Sequence, residues 1–176
     1  MNITLYTKIT FMFSLLGLFC LAGCSIPSIQ MDPDNNLEKI CAFDIPEGYD
    51  LQFIVELDGN PIISMNGPQA SDHIYLVQLP KGVEINLDDV DQPIGIMVSR
   101  QENDQRETTL IERKTVSICG QDVPLMVSEG INADNQLYRQ NTAVFEGKNG
   151  PALINITSIV ENWNQALVDE FIASLH

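Results

Sequence analysis

The chain has 176 residues, a 44% hydrophobic content and a formal net charge of −15. That length is enough for one domain with a real core. An acidic balance this strong repels nucleic acid and anionic lipid headgroups, which argues against both as partners. It favours solubility and suits a basic partner or loosely held cations, or it is simply a well-solvated surface.

A short polar segment with Lys8 opens the chain, an apolar run follows from Ile9 to Cys20, and Leu21-Ala22-Gly23-Cys24 ends it. That is the n-region, h-region and cleavage-site layout of a secretory signal peptide. A membrane-spanning helix needs about 20 consecutive apolar residues. The run from Ile9 to Cys24 is shorter, Thr10 and Ser14 interrupt it, and no basic stop-transfer cluster follows. Leu21 to Cys24 resembles the lipobox of bacterial lipoproteins, where a diacylglyceryl group is attached to the cysteine and the preceding segment is removed. The resemblance implies that residues 1–23 are a signal peptide and that Cys24 is the lipidated first residue of the mature chain. Acyl chains there would be the membrane anchor, each buried methylene contributing about 0.8 kcal/mol, and stable anchoring takes more than one chain. Lipoproteins kept in the inner membrane tend to carry aspartate after this cysteine. Ser25 instead implies the outer membrane, facing the periplasm, if the organism has two membranes. An uncleaved anchor and ordinary secretion are the rival readings.

Cys20 would leave with the signal peptide and Cys24 would be acylated. Cys41 and Cys119 then remain, an even pair in a compartment that is often oxidising. A bridge between them would close a loop of about 80 residues, contributing about 4–5 kcal/mol in the chain-entropy account. Two free buried thiols are the other reading.

Residues 24–40 read as the acylated N-terminus and a flexible tether, since Pro27, Pro33 and the Asp/Asn cluster disfavour helix and strand. Asp32, Asp34 and Asn36 have the opening spacing of a calcium loop. Leu37 and Phe43 occupy the positions that need glycine and a bidentate glutamate, so calcium is rejected. The globular domain is expected over 41–176. Cys41 to Ile45 is expected as a short strand, stopped by the turn Pro46-Glu47-Gly48. Leu51 to Leu57 and Ile62 to Met65 flank Asp58-Gly59-Asn60-Pro61 as a hairpin. Gly67-Pro68 breaks the chain, and His73 to Leu79 alternates as a strand. Over 86–100 a short acidic helix is expected, capped by Asn86 with Asp88 and Asp89 in its first turn, and interrupted at Pro93. Thr108 to Thr115 and Val116 to Cys119 are extended, a turn over Gly120-Gln121-Asp122 follows, and Val123 to Val127 returns. Gln136 to Phe145 alternates, Glu146 to Gly150 connects tightly, and Ala152 to Ile159 is a β-branched strand. Glu161 to Leu175 is expected as a helix capped by Asn162, with Trp163, Leu167, Phe171 and Leu175 as its apolar stripe, broadened by Val168 and Ile172.

Pro46-Glu47-Gly48-Tyr49 follows the first strand, and Ile118, Gly120 and Val123 make a mid-chain Ile-x-Gly-x-x-Val turn. Phe145-Glu146-Gly147-Lys148, Asn162-Trp163 and Phe171 to Leu175 close the chain. This order resembles small bacterial lipoproteins of the Mog/PsbP-like kind over roughly Cys41 to Leu175. The resemblance implies an α/β (α+β) fold with a central antiparallel sheet packed by helices, an α-β-α sandwich. It also implies a non-enzymatic binding or assembly factor, with no catalytic constellation carried over.

Chemistry-bearing motifs are few. A metal site needs clustered His, Cys and carboxylates at ligand spacing, and His73 and His176 are the two histidines of the chain. No GxSxG elbow occurs. A dyad of Cys41 or Cys119 with His73 lacks any sign of an activated thiol. Gly147-Lys148-Asn149-Gly150 is too short for a phosphate loop and reads as a hairpin turn. Asp88, Asp89 and Asp91 read as a solvated helix start, Asn155-Ile156-Thr157 as a sequon in a buried strand, and Arg139 as an ion-pair partner for a neighbouring acid. No metal, cofactor or catalytic residue is expected. The expected function is that of a membrane-tethered envelope lipoprotein that binds another envelope protein, with an apolar-ligand or lipid carrier as the alternative and an unrecognised hydrolase behind it.

Overall fold

A computed structural model of the chain describes residues 37–83, 108–132 and 134–176. The lipobox with Cys24, the segment with Pro27 and Pro33, and the helix expected over 86–100 lie outside these residues.

Among the described residues seven strands form one antiparallel sheet: β1 (Asp50–Leu57), β2 (Asn60–Asn66), β3 (His73–Gln78), β4 (Thr109–Ile118), β5 (Gln121–Ile131), β6 (Leu137–Gly147) and β7 (Gly150–Ile159). Their order is β1-β2-β3-β7-β6-β5-β4, so the last strand of the sequence sits between two meanders and joins them. Asp58 and Gly59 both adopt positive φ, which a two-residue hairpin of this twist requires. The β4–β5 hairpin turns at Cys119-Gly120, also with positive φ at both residues, one position earlier than the expected turn.

Pairing register explains which face is buried. Ile54, Ile63, Leu76, Ile154, Ala143 and Leu125 are successive cross-strand partners, and so lie in one row on one face. Leu51, Met65, Ile74, Ile156, Asn141 and Val127 form the next row. Both rows belong to the helix-covered face, whose core also takes in Phe145, Val168, Phe171, Ile172 and Leu175. Full burial of large side chains such as Phe171 and Ile154 stabilises by roughly 1.5–3 kcal/mol each. The opposite face mixes buried apolar residues (Val77, Met126, Leu153) with buried polar ones (Ser64, Ser128, Gln140, Thr142, Asn155).

The helix α1 spans Gln165–Ser174 and starts later than the sequence suggests. Val160–Asn162 form a 3-10 turn instead, and Trp163 is extended. Asn164, rather than Asn162, caps α1 by accepting from the Leu167 N–H at 3.2 Å. Buried residues on α1 are Val168, Phe171 and Ile172, with Leu167 only half-buried. Trp163 precedes the helix and, like Leu167, is only partly buried, so the stripe is carried by Phe171 and Leu175 together with Val168 and Ile172.

No strand forms over Cys41 to Ile45. Its backbone pairs with the chain end instead, Ala42 N–H to His176 O at 3.0 Å and His176 N–H to Ala42 O at 2.9 Å. Cys119 N–H likewise donates to Leu175 O. The sulfurs of Cys41 and Cys119 are joined, with Cα atoms 6.2 Å apart. Ile40 is already in the core, so packing begins inside the segment expected as tether. Among the described residues no helix is long and apolar enough to cross a membrane.

Candidate functional site

Beyond the two apolar rows the same face turns polar. Ser158, Arg139 and Glu129 are cross-strand partners on β7, β6 and β5, and Asp72, one residue ahead of β3, extends the row. Ser158 Oγ donates to Asp72 Oδ1 at 2.6 Å, and Arg139 bonds Glu129 at 2.5 and 2.9 Å. The Arg139 guanidinium stands 5.5 Å from the centre of the Trp163 ring, within range of a cation–π attraction. That contact holds the indole over the polar row just ahead of α1.

Asp72 is almost wholly buried. The β2–β3 loop is wrapped around it. Gln69 N–H donates to Asp72 Oδ2 at 3.1 Å, and Ser71 Oγ lies 3.3 Å from Oδ1. Gly67 N–H donates to Asp72 O and Asp72 N–H to Gln69 O. A cleft of about 200 Å³ opens beside this carboxylate, lined by Tyr49, Gln69, Ser158, Trp163, Asn164 and Leu167 among others. Burial, and secondarily the Asp72 carboxylate, pushes the Tyr49 phenol up to about 12.

A second, wide-open groove of about 510 Å³ lies near the β1–β2 turn, lined by Glu38, Lys39, Glu56 and Lys148. Its charges are already paired, Lys39 with Glu56 and Lys148 with Glu38. Exposed pairs of this kind contribute little and hold no unpaired group for a ligand.

The residues singled out by sequence are not brought into one site. Cys24 lies outside the described residues, as do Asp88, Asp89 and Asp91. Cys41 and Cys119 sit at the far end of the core from Asp72, beside the chain terminus. His73 Nδ1 is 3.0 Å from Asn66 Oδ1, with its ring against Tyr75. His176 Nδ1 is 2.7 Å from Ser174 O. Among the described residues no group of three or more His, Cys, Asp or Glu could hold a metal ion. Asn155 of the sequon is buried and donates to Thr142 Oγ1. Asp72 and Ser158 carry no motif, and Tyr49 enters the sequence reading only as the end of Pro46-Glu47-Gly48-Tyr49; the other signal at hand was the single tryptophan.

No protein-family model matches the sequence, and no curated protein matches it. Among solved structures, the chain is similar to the solution structure of cyanobacterial PsbP (CyanoP) from Synechocystis sp. PCC 6803. The two superpose with a TM-score of 0.54 over 88% of this chain and 95% of that one, at 16% identity. The fold is PsbP-like. An antiparallel sheet packed against a helix is thus shared, while identity this low speaks for architecture alone.

Proposed function

We propose that the mature protein is a non-enzymatic binding module, held at a bacterial envelope membrane by acyl chains on Cys24, and that its partner is another envelope protein. The anchor rests on the lipobox resemblance of Leu21 to Cys24. The binding role rests chiefly on one observation: the polar groups that converge on a cleft are Asp72 and Ser158, flanked by Tyr49 and Trp163. Neither histidine nor either described cysteine reaches that cleft, so no nucleophile–base set is assembled there. An apolar carrier fits less well. The space between α1 and the sheet is filled by Phe171, Ile154 and Ile156, and the cleft is below the roughly 300 Å³ where small-molecule pockets begin.

Crosslinking in intact envelopes followed by purification of the tagged chain tests the proposal. Recovery of a defined envelope protein, lost when residues 1–23 are exchanged for an ordinary cleavable signal and Cys24 for serine, supports it. Turnover in a broad hydrolase screen, abolished by Ser158→Ala, would contradict it.

A further inference from the structure

Asp72 is the one charged residue among those lining its cleft. Each Lys or Arg whose ion pair is seen among the described residues is engaged with another acid, and none bridges to Asp72. A buried carboxylate is costly unless it is paired or fully hydrogen-bonded. Its two oxygens offer about four acceptor sites, and three are met, by Ser158 Oγ, Ser71 Oγ and Gln69 N–H. Oδ2 carries one donor where two fit. The open position belongs to a carboxylate beside a cleft with the Tyr49 and Trp163 rings in its walls and Ile156 and Leu167 as apolar lining.

A group that satisfies all of this has a cationic, hydrogen-bond-donating tip on an apolar stem. Aromatic faces attract such a tip, and the stem covers apolar surface. An anion would meet Asp72 and an overall charge of −15, whereas a basic partner would be steered inward by the same field. Resting on the binding-module reading, we propose that this cleft takes one lysine or arginine side chain of the partner protein, its cationic tip bonded to Asp72 Oδ2 and its stem against Trp163.

Trp163 is the only tryptophan of the chain, so its fluorescence reports on the cleft directly. The probes are blocked tripeptides with a central lysine, arginine or leucine, titrated into residues 24–176 produced with Cys24→Ser and the other cysteines intact. Spermidine serves as a free polyamine. The lysine and arginine peptides should shift Trp163 emission saturably, and the leucine peptide should not. Asp72→Asn should weaken binding by about tenfold or more, the scale of a hydrogen bond to a charged group, while Glu170→Gln on the exposed side of α1 should leave it unchanged. Should Asp72→Asn not fold, Gln69→Lys on the exposed rim supplies a tethered ammonium and should suppress the response. Equal responses to the leucine peptide, equal loss in Glu170→Gln, or an undiminished response in folded Asp72→Asn or Gln69→Lys overturn the assignment. Spermidine saturating at far lower concentration than either peptide would move the site from a protein side chain to a free amine, and also overturns it. An envelope partner captured equally well by Asp72→Asn would overturn this site while sparing the binding-module reading.

Discussion

At Gly67 the backbone passes so close to the cleft that an added Cβ would fall 2.5 Å from Asp72 Cβ and 2.7 Å from Tyr49 Cζ. Both neighbours are constrained, Asp72 by its hydrogen bonds and Tyr49 by half-burial. Gly67→Ala should therefore cost about 1–3 kcal/mol by overpacking and shift Trp163 emission, both read in one denaturation series. A smaller cost with unchanged emission would mean that the loop yields freely. The Tyr49 phenol holds its proton to about 12 in the folded chain, against 10.0 ordinarily. The unfolded chain loses that proton first as pH rises, so the contribution of Tyr49 is whole below pH 10 and is lost as pH climbs through about 12. Absorbance titration should show a late-ionising tyrosine signal that Tyr49→Phe removes. The same variant should flatten the fall in stability across that alkaline window. Asn141 is a different case. It is fully buried among apolar neighbours, and neither side-chain amide atom has a protein hydrogen-bond partner.

Helix α1 is held by packing, a cap and a surface ion pair, and these differ in size. Phe171 is buried in the core with Phe43 edge-on to its ring at 6.0 Å. Phe171→Ala should cost about 3–5 kcal/mol, and Asn164→Ala about 1 kcal/mol through the lost cap. Lys114 on β4 bonds Asp169 on α1 at 3.1 Å. Slight burial raises the Asp169 carboxyl, but hydrogen bonds from Gln165 and Lys114 and the charge of Lys114 outweigh it, so the group sits below its ordinary value. The pair is largely exposed, so Lys114→Met should cost less than about 1 kcal/mol. Thermal denaturation of the three variants ranks them, and Lys114→Met costing as much as Phe171→Ala would contradict the ranking. The same helix shows where sequence reading stops. Its existence was legible from apolar spacing, and the β1–β2 hairpin from Asp58-Gly59. Its start was not, because Asn162 and Asn164 are equally good caps locally. Cross-sheet capture of Trp163 by Arg139 favours the second. The strand expected at Cys41 to Ile45 failed for a similar reason, since its backbone partner is the chain end at His176.

Across the whole molecule, the fold class was readable and the candidate site was not. Alternating apolar strands and an amphipathic C-terminal segment suffice to call for a sheet covered by a helix. Asp72 acquires its role from Gln69 nearby and from Ser158, separated from it by 86 residues, a pairing that no local pattern encodes. The Cys41–Cys119 link is just as long-range, with a sequence separation of 78, and it fastens the N-terminal leg to the β4–β5 turn beside the chain end. We expect the mature protein to contain no free thiol at these positions. Reduction, or Cys41→Ser with Cys119→Ser, should then destabilise it by about 2–5 kcal/mol. Full thiol reactivity in the native protein, with stability unchanged by reductant, would argue against the bridge. Mass spectrometry of the N-terminal peptide from membrane fractions bears on the tether most directly. The account predicts a peptide that begins at Cys24 and carries a diacylglyceryl group on its sulfur, with membrane sedimentation lost in Cys24→Ala. Recovery of residues 1–23 in the mature protein, or a Cys24→Ala form that still sediments with membranes, would contradict it.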